Sequence, residues 1–120
     1  MRLFQSFIFV IKNDIFYWNI DTDVLVNVTQ GTGMANLPTV SENLIMFNHF
    51  VDDEWNLAVY DIETEETFYP IINHTQSPII AHDLWVDEDG DATLIGQTFY
   101  GGHYDLVVIY LNSTAEGGDG

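Results

Sequence analysis

The feature that most constrains the fold is an internal repeat of short apolar runs. Segment 14–22 (DIFYWNIDT) aligns with segment 56–64 (NLAVYDIET), 42 positions later, and the latter aligns with segment 105–113 (DLVVIYLNS), 49 positions further on. A period of about 40–50 residues built from such runs is typical of β-propeller blades and related β-arrays. The repeat therefore predicts an all-β fold made of consecutive, similar units.

Ten strands are predicted, because runs rich in β-branched and aromatic residues alternate with Asp, Asn, Gly and Thr turns. They group into three antiparallel meander units, at about 7–30, 37–72 and 79–111. The predicted strands cover 7–12, 14–20, 24–29, 37–41, 44–50, 56–62, 67–72, 79–86, 92–99 and 104–111. The remaining segment, 112–120, has one alanine as its only apolar residue and is predicted to be a flexible, acidic, Gly-rich tail.

The three units are unequal, which bears on assembly. The middle unit has four predicted strands, whereas the first lacks an opening strand and the third lacks a closing one. The best-matched strand of each unit is apolar without alternation, which predicts burial on both faces. We therefore predict the blades of a partial β-propeller, completed by self-association. A head-to-tail contact would give a closed ring of two copies or an open filament.

The charge of the chain is strongly one-sided. Against 19 Asp and Glu there are only Lys12 and Arg2, so the formal net charge is −17. Such self-repulsion is screened at molar salt, which suggests a salt-adapted organism or its virus. The alternative is a partner rich in Lys and Arg, or bound cations. Nucleic acid is not expected as a partner, because almost nothing is present to neutralise phosphates.

The sequence does not decide between two cellular locations, a high-salt cytoplasm and a virion or cell surface. The apolar run Phe7–Ile11 is too short for a membrane span, and no small-residue cleavage site of a signal peptide follows it. The chain contains no cysteine, which excludes disulfides and thiol chemistry.

Two segments resemble a known family. Segment 54–66 (EWNLAVYDIETEE) resembles the third strand and following turn of the TolB-type β-propeller repeat, and segment 84–95 (LWVDEDGDATLI) resembles its first strand, Asp-Gly turn and second strand. Pro38 and Pro78, each opening a unit, also fit. The resemblance covers about 7–111 and implies blades, but no activity, since such repeats serve enzymes, transport accessories and scaffolds. The family closes its ring with about six blades, more than this chain supplies.

The densest acidic cluster is Asp87–Asp91, where carboxylates surround Gly90. This pattern is similar to a calcium loop, but Thr98 stands where an EF-hand requires Glu, and strands rather than helices flank it. A hairpin turn in which Gly90 supplies the positive φ is the favoured interpretation, with loose cation binding left open.

No catalytic, cofactor-binding or metal-ligating residue is predicted. The four histidines, at positions 49, 74, 82 and 103, lack the spacing common in zinc sites, and a structural role is favoured. His49 and His103 fall beside equivalent hairpins, a placement that would let them approach one another across blades. Nucleophile elbows, phosphate-binding glycine loops and recognisable catalytic triads are missing from the sequence. The chain is therefore not expected to be an enzyme.

The sequence favours a non-enzymatic structural or protein-interaction module that binds copies of itself, or another protein of a larger assembly. The alternative is a ligand-binding module that takes a glycan or peptide on blade loops such as Asp52–Trp55 and Tyr100–Tyr104. A hydrolase would need a catalytic domain that this sequence lacks. Glycosylation acceptors occur at Asn27, Asn73 and Asn112, and chance accounts for part of them.

Overall fold

A computed structural model describes residues 6–70, 80–100 and 102–112, which form ten β-strands in three antiparallel sheets. Each sheet is a meander of neighbouring strands. The first sheet contains β1 (Ser6–Ile11), β2 (Asp14–Asn19) and β3 (Val24–Asn27). The middle sheet contains β4 (Ala35–Ser41), β5 (Leu44–Val51), β6 (Glu54–Asp61) and β7 (Glu66–Phe68), and the third contains β8 (Ile80–Val86), β9 (Ala92–Tyr100) and β10 (His103–Leu111).

The prediction of an all-β chain with ten antiparallel strands is confirmed, as is the division into units of three, four and three strands. Strand ends differ from the prediction by a few residues at most where both can be compared. The predicted end of the seventh strand at 71–72, Asn73 and the tail from 113 onward lie outside the described residues. The three sheets do not close into a barrel.

Tight turns set the register of two hairpins. Lys12 and Asn13 join β1 to β2 with φ of 50° and 70°, and Asp52 and Asp53 join β5 to β6 with φ of 54° and 66°. Two consecutive residues with positive φ are the mark of a type I′ turn, whose twist matches that of the flanking strands.

The middle sheet lies between the other two and is buried on both faces. One face packs against the third sheet in a cluster of Leu44, Met46, Leu57, Val59, Leu84, Val86, Ala92 and Leu94. The opposite face packs against the first sheet in a cluster of Ile15, Tyr17, Ala35, Ile45, Phe47, Ala58 and Tyr60. Because successive side chains of a strand point to opposite faces, β5 and β6 contribute to both clusters in alternation.

The prediction that the best-matched strand of every unit is buried on both faces is wrong for the two outer sheets. Val59 in the middle sheet is fully buried, and Tyr17 of β2 is 6% exposed, but Val108 of β10 is 47% exposed. In β2, burial alternates along the strand, so that only one face is covered. Among the described residues, each outer sheet has a neighbouring sheet on one side only, so the second face of its apolar strand has no sheet to cover it.

Hydrogen bonds also join the sheets. The backbone N–H of Ala35 donates to the carbonyl oxygen of Asn13 at 2.9 Å, tying the start of the middle sheet to the β1–β2 turn. The N–H of Val86 donates to Oγ of Ser41 at 2.9 Å, between the third and middle sheets. Within the described parts of the chain, no helix has the length and apolar character needed to cross a membrane.

Candidate functional site

The outer face of the first sheet, here called the leading face, is aromatic and apolar. Cross-strand pairing places Phe7 opposite Trp18 and Phe9 opposite Phe16, with ring centroids 5.8 and 5.7 Å apart. Phe7 is 55% exposed, and Leu25, opposite Trp18 on β3, is 59% exposed. Rows of large apolar side chains in water are unusual on a monomeric surface and mark interaction sites.

The outer face of the third sheet, here called the trailing face, is also apolar. Its β10 residues Tyr104, Leu106 and Tyr110 are 65–74% exposed, whereas Val107, Ile109 and Leu111 of the same strand pack inward. Trp85 extends the same face on β8 and is 62% exposed. The trailing face is defined by Trp85, Ile95, Tyr104, Leu106, Val108 and Tyr110.

The exposed Val108 of the trailing face corresponds to residues that are covered in the other two sheets. Val108 aligns with Val59 and, through it, with Tyr17. Tyr17 faces the middle sheet and Val59 faces the third sheet, so in each case the aligned side chain is covered by the next sheet along the chain. Val108 points in the same direction but has no described sheet to cover it.

The leading face shows the same relation in reverse. Ile109 packs toward the middle sheet, and the aligned Tyr60 packs toward the first sheet, so both are covered by the preceding sheet. Their counterpart Trp18 lies on the leading face and is 37% exposed. The three sheets therefore share one orientation, and within the described residues no neighbouring sheet covers the leading face or the trailing face.

Carboxylates accompany both faces. The indole N–H of Trp18 on the leading face donates to Oδ1 of Asp23 at 3.0 Å, and Asp83, exposed two residues before Trp85 on β8, shares the trailing face. The strands of the first sheet carry one carboxylate, Asp14, while the turns at 21–23, 52–54 and 63–66 are acidic and exposed at most of their positions. Apolar faces with acidic rims can associate once the charges of the rims are screened.

The Asp87–Asp91 segment forms the turn that its Asp-Gly pair predicts. Oδ1 of Asp87 accepts hydrogen bonds from the backbone N–H groups of Asp89 and Asp91 at 2.8 and 3.0 Å. Gly90 has a φ of 88° and donates its N–H to the carbonyl of Asp87. The carboxylate at the centre of the cluster is thus part of the turn itself. Among the described residues, no group of three or more acidic or histidine side chains is arranged to hold a metal ion.

The histidines do not form a common site within the described structure. His49 is buried on the side of the middle sheet that faces the first sheet, where its ring lies near Phe47. His103 belongs to the third sheet and is largely exposed, and its Nε2 lies 3.4 Å from Oδ1 of Asp105. The middle sheet therefore separates His49 from His103. The side chains of His74 and His82 lie outside the described part of the chain.

A hydrogen-bond network around His49, which the sequence did not reveal, links the first and middle sheets. The hydroxyl of Thr32 donates to the carbonyl of Thr29 at 2.5 Å, so its one hydrogen is used. Nε2 of His49, 3.2 Å from Thr32 Oγ1, must therefore be the donor in that pair. Nδ1 is then the acceptor, and the Tyr69 hydroxyl donates to it at 2.8 Å.

The network continues to Asp14 at the start of β2. Thr29 is buried and donates its hydroxyl to Oδ1 of Asp14 at 2.6 Å, and the backbone N–H of Gly31 donates to the same oxygen at 3.0 Å. Asn27 donates to the other oxygen at 3.3 Å, so this glycosylation acceptor is engaged within the fold. These bonds, with that from Thr29 the largest cause, lower the pKa of the Asp14 carboxyl. Burial lowers the pKa of the His49 imidazole, while the charge of Asp14 opposes this shift.

A cavity of about 320 Å³ lies beside this network. It is lined by Val28, Thr29, Gln30, Thr32, Phe47, His49, Val51, Thr67 and Tyr69. Of the two loops nominated from sequence, Asp52–Trp55 directly follows Val51 at the cavity wall. The other loop, Tyr100–Tyr104, belongs to the third sheet, and residue 101 and the Tyr100 side chain lie outside the described parts.

A second cavity, of about 500 Å³, lies between the middle and third sheets and is lined partly by Asp61, Glu63, Glu88 and Asp89.

Comparison with protein-family models, curated proteins and solved structures gives no match for this chain.

Proposed function

We propose that this chain is a non-enzymatic structural module of a salt-adapted organism or its virus, and that it assembles head to tail with copies of itself. The trailing face of one copy would cover the leading face of the next. The observation that carries the proposal is the shared orientation of the three sheets, since Val108 and Trp18 are exposed where their counterparts in the middle sheet are covered.

Physical chemistry supports such a contact. Both faces present large apolar and aromatic side chains, whose removal from water drives association. Two different faces make a heterologous contact, which gives a ring if the rotation closes and a filament if it does not. Two copies would supply six sheets, in line with the six or so blades implied by the resemblance to TolB-type repeats, and we propose this closed form.

The first test measures mass by light scattering in about 2 M salt, where repulsion between the acidic rims is screened. Wild-type protein should have twice the 13.7 kDa mass of the chain or a larger multiple. Val108→Asp places a charge on the trailing face and should yield a folded monomer. Thr64→Asp adds the same charge to an exposed turn and should leave the assembly intact.

A mixing experiment tests the head-to-tail arrangement. Trp18→Asp should damage the leading face and give a monomer on its own. When the two variants are mixed, the intact trailing face of Trp18→Asp can bind the intact leading face of Val108→Asp, so a dimer of one copy of each should form. A folded wild-type monomer would overturn the proposal. A mixture that stays monomeric, or an assembly that either single variant leaves undiminished, would show that the contact is not of this kind.

A further inference from the structure

We infer that the cavity beside His49 is a binding site for a small, uncharged, hydroxyl-rich ligand of monosaccharide size. This site is separate from the proposed assembly faces, because it lies between the first and middle sheets and its lining includes no residue of either face. Its volume, about 320 Å³, falls at the lower end of the range for small-molecule sites.

The lining of the cavity argues for an uncharged ligand. None of its nine residues is Asp, Glu, Lys or Arg, in a chain that contains 19 acidic residues. A carboxylate or phosphate ligand would find no cation there, and a hard metal ion would find no carboxylate. Asp14, the acidic group bonded to the lining residue Thr29, is already occupied by hydrogen bonds from three residues.

Two lining side chains have unused hydrogen-bonding capacity toward a ligand. The hydroxyl of Thr67 and the side-chain amide of Gln30 are exposed, and neither makes a side-chain hydrogen bond within the described structure. Each offers both a donor and an acceptor, which is the pairing that a sugar hydroxyl satisfies.

Tyr69 supplies an aromatic surface and a fixed acceptor. The residue is 41% exposed, and its ring stacks on the His49 ring with an interplanar angle of 10°. Because its hydroxyl hydrogen is donated to His49, the lone pairs of its oxygen remain to accept from a ligand. Val28 and Val51 add apolar wall. A sugar ring presents apolar C–H faces and hydroxyls together, which matches this combination of surfaces.

The test is a saturation-transfer NMR titration of the wild-type protein in about 2 M salt. The ligands are D-glucose, D-galactose and N-acetyl-D-glucosamine. Tetramethylammonium, a small cation without hydroxyls, is titrated separately. At least one sugar should bind saturably. Thr67→Val keeps the side-chain shape but removes the hydroxyl, and should weaken that binding about fivefold, the effect of losing one hydrogen bond. Thr64→Val is the matched control on an exposed turn and should leave binding unchanged.

Three results would overturn the inference: no saturable sugar binding, binding of tetramethylammonium alone, or sugar binding that Thr67→Val leaves unaltered. Light scattering of the same samples reports assembly independently, so failure of this site is distinguishable from failure of the proposed head-to-tail contact.

Discussion

At the scale of single residues, the buried His49 has a hydrogen-bond partner at each of its two ring nitrogens. Its partners Thr32 and Tyr69 come from the segments that follow β3 and β7, so three separate parts of the chain meet at one ring. No local spacing could predict this network, because it depends on how the connection after β3 crosses to the middle sheet. The sequence showed Asn27 and Thr29 only as a glycosylation pattern, whereas both bind Asp14 in the structure.

The state of His49 leads to a pH prediction. Burial lowers its folded-state pKa below the usual 6.5, so the fold favours the neutral ring. The stability this contributes is complete above the unfolded pKa and is lost as pH falls through the folded pKa. We expect the free energy of unfolding, measured with urea in about 2 M salt, to decrease between about pH 7 and pH 5.

His49→Gln should remove this slope, and His103→Gln, at an exposed position, should preserve it. Asp14 contributes to stability in the same direction but over a lower pH range. Because folding lowers the pKa of its carboxyl, this contribution is present above pH 3.8 and is lost as the pH falls further. A slope that persists in His49→Gln would assign the pH dependence to other groups.

At the scale of the strand, the sequence predicted the strands correctly because the pattern that defines them is local. All ten strands were predicted because each apolar run is bounded by turn-forming residues, such as Asp52 and Asp53 between β5 and β6. Burial on the second face was not predictable from the runs themselves. Val59 and Val108 occupy equivalent places in similar sequences, and only the number of neighbouring sheets distinguishes them.

The connection between the first and middle sheets depends on Gly33. Its φ is 152°, and a Cβ at this position would lie 2.3 Å from the carbonyl oxygen of Phe50. Gly33→Ala should therefore lower the free energy of unfolding by about 3 kcal/mol or more, because backbone would have to move. The nearby Gly31→Ala is the control: φ is 72° there and a Cβ meets nothing within 4 Å, so only about 1 kcal/mol should be lost.

Urea unfolding of the two variants side by side measures the difference. Equal losses of unfolding free energy would show that the backbone around Gly33 and Phe50 can move at little energetic cost. The connection between the two sheets would then not be fixed at this point.

At the scale of the whole molecule, the apolar faces and the net charge of −17 act against one another. Apolar burial favours association, while carboxylates on neighbouring copies repel. In dilute buffer the Debye length is about 30 Å, which spans much of a small domain, whereas at 1 M salt it is about 3 Å. Salt concentration should therefore decide which of the two effects prevails.

We accordingly expect the protein to lose assembly, structure or both when salt is lowered from about 2 M to about 10 mM at pH 7. Lowering the pH toward the isoelectric point of about 4.1 should partly replace salt, because protonation of the carboxylates removes the repelling charges. The stability contributed by neutral His49 and ionised Asp14 is lost over the same pH change, which opposes this effect. Circular dichroism and light scattering on one dilution series check the prediction. An unchanged β spectrum and mass in 10 mM salt would show that the acidic rims do not control this fold or its contacts.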